Sequence, residues 1–161
     1  SMSFVTYAAF PSPLGILTGI SQNGAVTALL LPDQPFNLPP HAIPKDTPAL
    51  MALGNWLERY FQGENPVIDF PILPEGTAFQ RRVWSLLGTI PYGASTTYLQ
   101  LARQLSPSMS PQAVGQAVGR NPIPIVIPCH RVLGANGKLT GYSGGIPAKI
   151  QLLELERIPY L

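Results

Sequence analysis

The chain has 161 residues, 45% hydrophobic and 11% charged. That is enough for one ordinary domain or two small ones with a real core, and it excludes a disordered chain. Formal net charge is +2, but residues 1–73 carry two basic and five acidic side chains (−3) and residues 74–161 carry eight and three (+5), which fits either a polyanion meeting the second half only or chance segregation of few charges on a solvated surface. From the N-terminus, Ser1 ahead of Met2 reads as an expression remnant, and no basic segment precedes an apolar one, so no secretory signal is expected. Phe4 to Phe10, Leu14 to Ile20 and Ala25 to Leu31 read as strands, with turns at Pro11-Ser12-Pro13 and Gln22-Asn23-Gly24, giving a three-stranded antiparallel meander. Asp33 to Asp46 reads as a proline-rich loop. Thr47-Pro48 then offers a cap and first turn for a helix whose Leu50, Leu53, Trp56, Leu57, Tyr60 and Phe61 fall at helical spacing, ending at Gly63.

Asn65 to Glu75 holds three prolines and reads as a linker between two lobes, 1–73 and 74–161. Thr77 caps an expected helix to about Gly88, striped by Phe79, Val83, Trp84 and Leu87. After the turn Ile90-Pro91-Tyr92-Gly93, Ser95 or Thr96 caps a helix carrying Leu99, Leu101, Ala102 and Leu105. Ser106 to Met109 breaks it, and Ser110-Pro111 opens a second helix over Gln112 to Gly119, making a helix-turn-helix. That second helix is mostly Ala, Val and Gly. It either approaches a nucleic-acid groove closely while reading little sequence, or packs against another helix. Gly134 to Lys138 reads as a tight turn, Leu139 to Gly145 as a glycine-rich loop, and a last helix starts near Pro147.

The only cysteine lies in Ile123-Pro-Ile-Val-Ile-Pro-Cys-His-Arg-Val132. Prolines 122, 124 and 128 fix φ, and Ile123 and Ile127 precede prolines, so the segment reads as a rigid extended run delivering the Cys129 thiol beside the His130 imidazole. A thiol is nucleophilic as thiolate, and a neighbouring base or cation makes it one near neutral pH. A lone cysteine after an apolar run is otherwise an inert core residue. One cysteine makes no internal disulfide, and no Cys/His cluster has zinc spacing, so no metal and no cofactor are expected. A thiol that stays reduced fits the cytoplasm and not a secreted protein. No stretch approaches the ~18 unbroken apolar residues of a membrane helix.

Pro128-Cys129-His130-Arg131-Val132, with Asn121-Pro122 before it and Gly141-Tyr142-Ser143-Gly144-Gly145 and Lys149 after it, closely resembles the O6-alkylguanine-DNA alkyltransferases, also called methylated-DNA–protein-cysteine methyltransferases. The resemblance extends upstream through Phe79 to Trp84, Ile90 to Gly93 and Tyr98 to Ala102, and covers roughly residues 74–158. It implies an α+β protein: an RNase-H-like N-terminal lobe, residues 1–73, with a three-stranded antiparallel sheet plus helix, and a winged-helix-like DNA-binding lobe, residues 74–161, with the helix-turn-helix. It implies transfer of a methyl or other alkyl group from guanine O6 in double-stranded DNA to Cys129, irreversibly and once per molecule, after base flipping. The sequence leaves open whether O4 of thymine is also served. A monomer without membrane association is expected.

By the same resemblance His130 accepts the thiol proton through a water, Glu156 orients the imidazole, and Asn121 ties the active-site turn to the DNA-binding helix. Tyr98 hydrogen-bonds the base and contacts phosphate, and Lys149 helps polarise the site. Tyr142 packs along the flipped base, the Ser143 backbone donates to O6, and Val132 and Gly144 add pocket contacts. Gln112, Ala113, Gly115, Arg120 and Arg131 are the DNA-binding candidates. One departure stands out: where the family usually carries an arginine that enters the stack left by the flipped base, this chain has Gln112. Glutamine lacks that charge and planar guanidinium, so weaker flipping or holding of the base is expected, with Arg120 or another basic residue a candidate to compensate. Three other readings compete. A non-catalytic sensor of alkylated DNA would lack the acceptor cysteine. A Cys-His hydrolase does not usually place the two residues side by side. A plain winged-helix regulator would have no use for Pro-Cys-His-Arg.

Overall fold

The structure is a computed structural model and describes residues 4–161; Ser1 and Met2 lie outside the described residues. It is a mixed α+β chain of two compact units that divide between Glu75 and Gly76.

The first unit is a four-stranded sheet carrying one helix. Strands β1 (Thr6–Ser12), β2 (Gly15–Gln22) and β3 (Ala25–Leu30) form the expected antiparallel meander. Pro11 and Ser12 belong to β1 and not to the turn: they pair with Ile16 and Gly15, and Ser12 Oγ meets the Leu14 amide to close the hairpin. A fourth strand, β4 (Ile43–Pro44), runs parallel to β1 from within the stretch read as loop, giving the order β3-β2-β1-β4. Two residues in a proline-rich run carry no alternation to betray a strand; backbone pairing with Val5 and Tyr7 makes it one. Helix α1 (Pro48–Phe61) starts where Thr47 accepts the Leu50 amide, and buries Leu50, Leu53, Trp56, Leu57 and Tyr60. Gly19 and Gly54 leave the room that the Phe10 ring fills: a Cβ at either would sit 2.8 Å from it. The stretch read as a linker is hydrogen-bonded to the first unit, with Val26 bonded to Pro71 and Leu73, and Trp56 Nε1 donating to Pro66 O.

The second unit is helical. Helix α2 (Ala78–Leu87) opens on a reciprocal capping box between Thr77 and Gln80. Helix α3 (Tyr98–Leu105) is capped by Thr97, one or two residues later than expected, because Thr96 and Thr97 form strand β5, parallel to β6 (Val132–Leu133). Leu99, read as part of the α3 stripe, is 53% exposed; Leu101 and Ala102 face inward. Helix α4 (Pro111–Gly119) is capped by Ser110, buries Val114, Ala117 and Val118, and receives Trp84 Nε1 on Ala117 O at 2.9 Å. Helix α5 (Ile146–Leu155) ends the unit. No helix among the described residues is long and apolar enough to cross a membrane.

Candidate active site

The cysteine segment is not extended. Ile125 takes φ 73, and the Ile127 amide returns to Ile123 O at 2.9 Å, so residues 123–127 fold into a closed turn. A β-branched residue at positive φ costs about 1–3 kcal/mol and persists only where its surroundings over-determine it. Asn121 supplies that restraint from inside: Nδ2 donates to Ile127 O at 2.7 Å and Oδ1 accepts from Ile123 N at 3.0 Å. Proline stiffness was legible in the sequence; the reversal depends on this buried amide. Beyond the turn, Cys129–Arg131 form one turn of 3-10 helix that runs into β6. The β5–β6 pairing holds the start of α3 against the end of the cysteine turn, so Tyr98 and Cys129 share one wall.

Cys129 is 4% exposed and lines a cavity of about 300 Å³. The cavity is bounded by Tyr98, by Gly115 and Gly119 of α4, and by Gly141, Tyr142 and Ser143 of the glycine-rich loop. Val114, Ala117 and Val118 of α4 are buried, as the packing reading has it, while Gly115 and Gly119 line the cavity with Cys129. A Cβ at Gly115 would lie 3.6 Å from the Tyr98 ring.

Burial pushes the Cys129 thiol up from its ordinary value; hydrogen bonds from Asn121 and Tyr142 and the charge of Lys149 oppose the rise. His130 is completely buried, which pulls its basicity down, against the pull of Glu156 the other way. Its Nε2 lies 2.5 Å from Glu156 Oε2. An ionised carboxylate only accepts, so the Nε2 proton is fixed there and Nδ1 is left with the lone pair. Glu156 caps α5 and is itself buried; its other oxygen accepts from Arg131 Nε at 2.8 Å and from the Gly93 amide at 3.0 Å. Lys149 is fully buried in α5, and desolvation lowers its pKa to about 8.

Tyr98, Tyr142 and Ser143 line the cavity with Cys129; Asn121 and Lys149 act on its thiol, and Glu156 holds the neighbouring His130. Val132 lies beneath them, with its carbonyl already accepting from Lys149 Nζ at 2.7 Å. Gly144 sits in the same loop without lining the cavity. Gln112 is exposed in the first turn of α4, beside Tyr98 and Gly115. Ala113 and Arg120 lie on another face of α4, in a second cavity shared with Thr77, Gln80 and Gln116. Arg131, a DNA-binding candidate in the sequence, is 8% exposed, with Nε on Glu156, Nη1 on Ile90 O at 2.7 Å and its guanidinium over the Tyr92 ring, so its charge is engaged inside the protein. Sequence charge alone did not separate it from a surface arginine. Thr140 escaped notice as well: its hydroxyl lies 3.0 Å from both Tyr98 Oη and Lys149 Nζ. Its only signal was a place beside Gly141-Tyr142 in the loop.

A buried thiol at a cavity wall, with a carboxylate-oriented imidazole next to it in sequence, is an arrangement that suits a cysteine nucleophile. Residues 78–158 match the family model described as the 6-O-methylguanine DNA methyltransferase, DNA binding domain. The chain is 41% identical to the methylated-DNA–protein-cysteine methyltransferase of Haemophilus influenzae, over 99% of this chain and 90% of that one. It is 38% identical to the constitutive enzyme of that name from Bacillus subtilis, over 96% of each. Mycobacterium tuberculosis OGT, solved in complex with DNA, superposes with a TM-score of 0.85 at 44% identity, covering 96% of this chain and 95% of that one. The chain belongs to the methylated-DNA–protein-cysteine methyltransferase family.

Proposed function

We propose that this protein repairs DNA by moving an alkyl group from O6 of guanine to Cys129 Sγ. DNA is the partner, as the matched DNA-binding domain and the DNA-bound mycobacterial relative support. The observation that carries the reading is the placement of a buried thiol on a cavity wall with Tyr98 and the Tyr142 loop, next in the chain to the His130 imidazole that Glu156 holds.

The chemistry follows from those positions. A base inside a duplex cannot reach a thiol that is 4% exposed, so the nucleotide turns out into the cavity, at a cost of roughly a few kcal/mol that damage or mispairing reduces. The thiol proton passes to His130 Nδ1 through an intervening water, and Glu156 stabilises the imidazolium. The thiolate displaces guanine at the saturated carbon: the S–C bond forms, the C–O6 bond breaks, and guanine departs with a proton at a ring nitrogen. Tyr98 and the Ser143 amide meet the charge that develops on the base, and Lys149 supports the thiolate. Asn121 holds the thiol turn to the end of α4. A thioether has no easy hydrolysis, so each molecule acts once and as a monomer. The need for a free thiol and for access to DNA supports a cytoplasmic location with access to the nucleoid or nucleus.

The order β3-β2-β1-β4, with β4 parallel to β1 and α1 on the sheet, supports an RNase-H-like first lobe, and the α3–α4 pair supports a winged-helix-like second one. The experiment is intact-protein mass spectrometry after incubation with duplex DNA carrying O6-methylguanine. One methyl mass on Cys129, lost in Cys129→Ser, is expected. Binding without a mass change would make the chain a sensor, and turnover of an ester or amide would make it a hydrolase.

A further inference from the structure

Lys149 Nζ has three acceptors: Val132 O at 2.7 Å, Thr140 Oγ1 at 3.0 Å and Gly141 O at 3.4 Å. An ammonium has three protons and accepts nothing, so each proton is committed and Thr140 Oγ1 receives one. The Thr140 hydroxyl proton then has one acceptor in hydrogen-bonding range among the described residues, Tyr98 Oη at 3.0 Å. If Tyr98 donated to Thr140 instead, the threonine proton would have no protein partner. Either direction leaves one hydroxyl proton without a protein acceptor, and the two differ in where: on Thr140, which does not line the cavity, or on Tyr98, which does, so the direction Lys149 to Thr140 to Tyr98 puts that proton where a base or water can accept it. The Thr140 methyl lies beside Gly134, where a Cβ would come within 2.8 Å of it. Tyr98 Oη thus accepts from inside the protein, and its own proton is left for the cavity that it shares with Cys129.

We infer that Thr140 is a positioning residue for alkyl transfer: it passes the hydrogen-bond direction set by Lys149 to Tyr98 and so holds the phenol as a donor to the departing base. The inference rests on the role given to Tyr98 above. As the C–O6 bond breaks, electron density moves onto the purine, and a donor already aimed at it needs no reorganisation at that moment. A phenol free to turn would spend part of its time donating to Thr140 Oγ1, with its proton turned away from the base.

The test is single-turnover transfer at saturating duplex DNA, read by mass, for wild type, Thr140→Val, Thr140→Ser, Tyr98→Phe and the Thr140→Val/Tyr98→Phe double variant. Thr140→Val should slow transfer about tenfold, the scale of one misdirected hydrogen bond, with DNA affinity unchanged. Thr140→Ser, which keeps the hydroxyl, should restore most of the rate. In the Tyr98→Phe background Thr140→Val should add nothing, which a merely structural role would not predict. Thr140→Ala carries the same test if the second methyl of valine prevents folding. If Tyr98→Phe slows transfer and Thr140→Val does not, or if both effects multiply in the double variant, the relay is wrong while the role of Tyr98 stands. If Tyr98→Phe itself transfers at the wild-type rate, the reading of Tyr98 fails and takes the relay with it.

Discussion

Arg131 and Glu156 form a buried ion pair, Nε to Oε1 at 2.8 Å, and the same carboxylate holds the neighbouring His130 through its other oxygen. One side chain at the end of α5 therefore fixes two consecutive residues of the cysteine turn. Removing one partner leaves a charge buried without compensation, which costs about 3–5 kcal/mol. Arg131→Met should lower the unfolding free energy on that scale while leaving the salt dependence of DNA binding intact. Glu156→Gln should combine the stability loss with slower transfer, since the imidazole loses its fixed tautomer. Chemical denaturation and single-turnover rates check both.

The pH dependence has two limbs. His130 must be neutral to accept a proton, and burial holds its pKa below the ordinary 6.5, so transfer should persist through pH 6.5 and fall only as acidification protonates the ring. Lys149 carries its charge below about 8, so the support that it gives the thiolate should fade as pH rises through that value. Single-turnover rates across pH should show a maximum between the two limbs. Lys149→Met should be slow throughout and lack the upper one.

Gln112 stands exposed at the head of α4, its Oε1 accepting from Ser110 Oγ at 3.1 Å, beside the Tyr98 wall of the cavity. Gln112→Arg places a charge and a planar fork where the vacated stack would lie. Transfer from duplex DNA should accelerate on the order of tenfold, the worth of one charge-assisted contact. Transfer from the free modified base should not change. An unchanged or lower duplex rate would show that glutamine is not the weak point.

Thr97 caps α3 by accepting the Gln100 amide at 3.1 Å, while the Gln100 side chain returns to the Thr97 amide at 3.0 Å. Thr97→Ala should cost about 1 kcal/mol of stability. It should also loosen Tyr98, the first residue of the helix, so the transfer rate should fall more than DNA affinity does. Thermal unfolding and the rate-against-affinity comparison separate the two effects.

Most of the scaffold was legible because local rules govern it. Thr47-Pro48, Thr77 with Gln80, and Ser110-Pro111 are cap signals that need no tertiary partner, and each starts a helix where it was expected. Strand β4 was not legible, since two residues between prolines carry no period and only pairing with β1 defines them. The cap of α3 slipped to Thr97 because β6, far away in sequence, claims Thr96 for a strand.

Residue order alone, a single thiol beside an imidazole in Pro-Cys-His-Arg with a glycine-rich loop behind it, was enough to give the family. Tertiary structure alone decided how those groups are charged and aimed. Arg131 and Arg120 look alike in a string of letters, yet one is locked under Glu156 and the other is exposed. Thr140 has no signature until folding sets its hydroxyl between Lys149 and Tyr98. The physical reason is that residue type is local, whereas desolvation and hydrogen-bond direction depend on neighbours that only folding brings within a few ångströms.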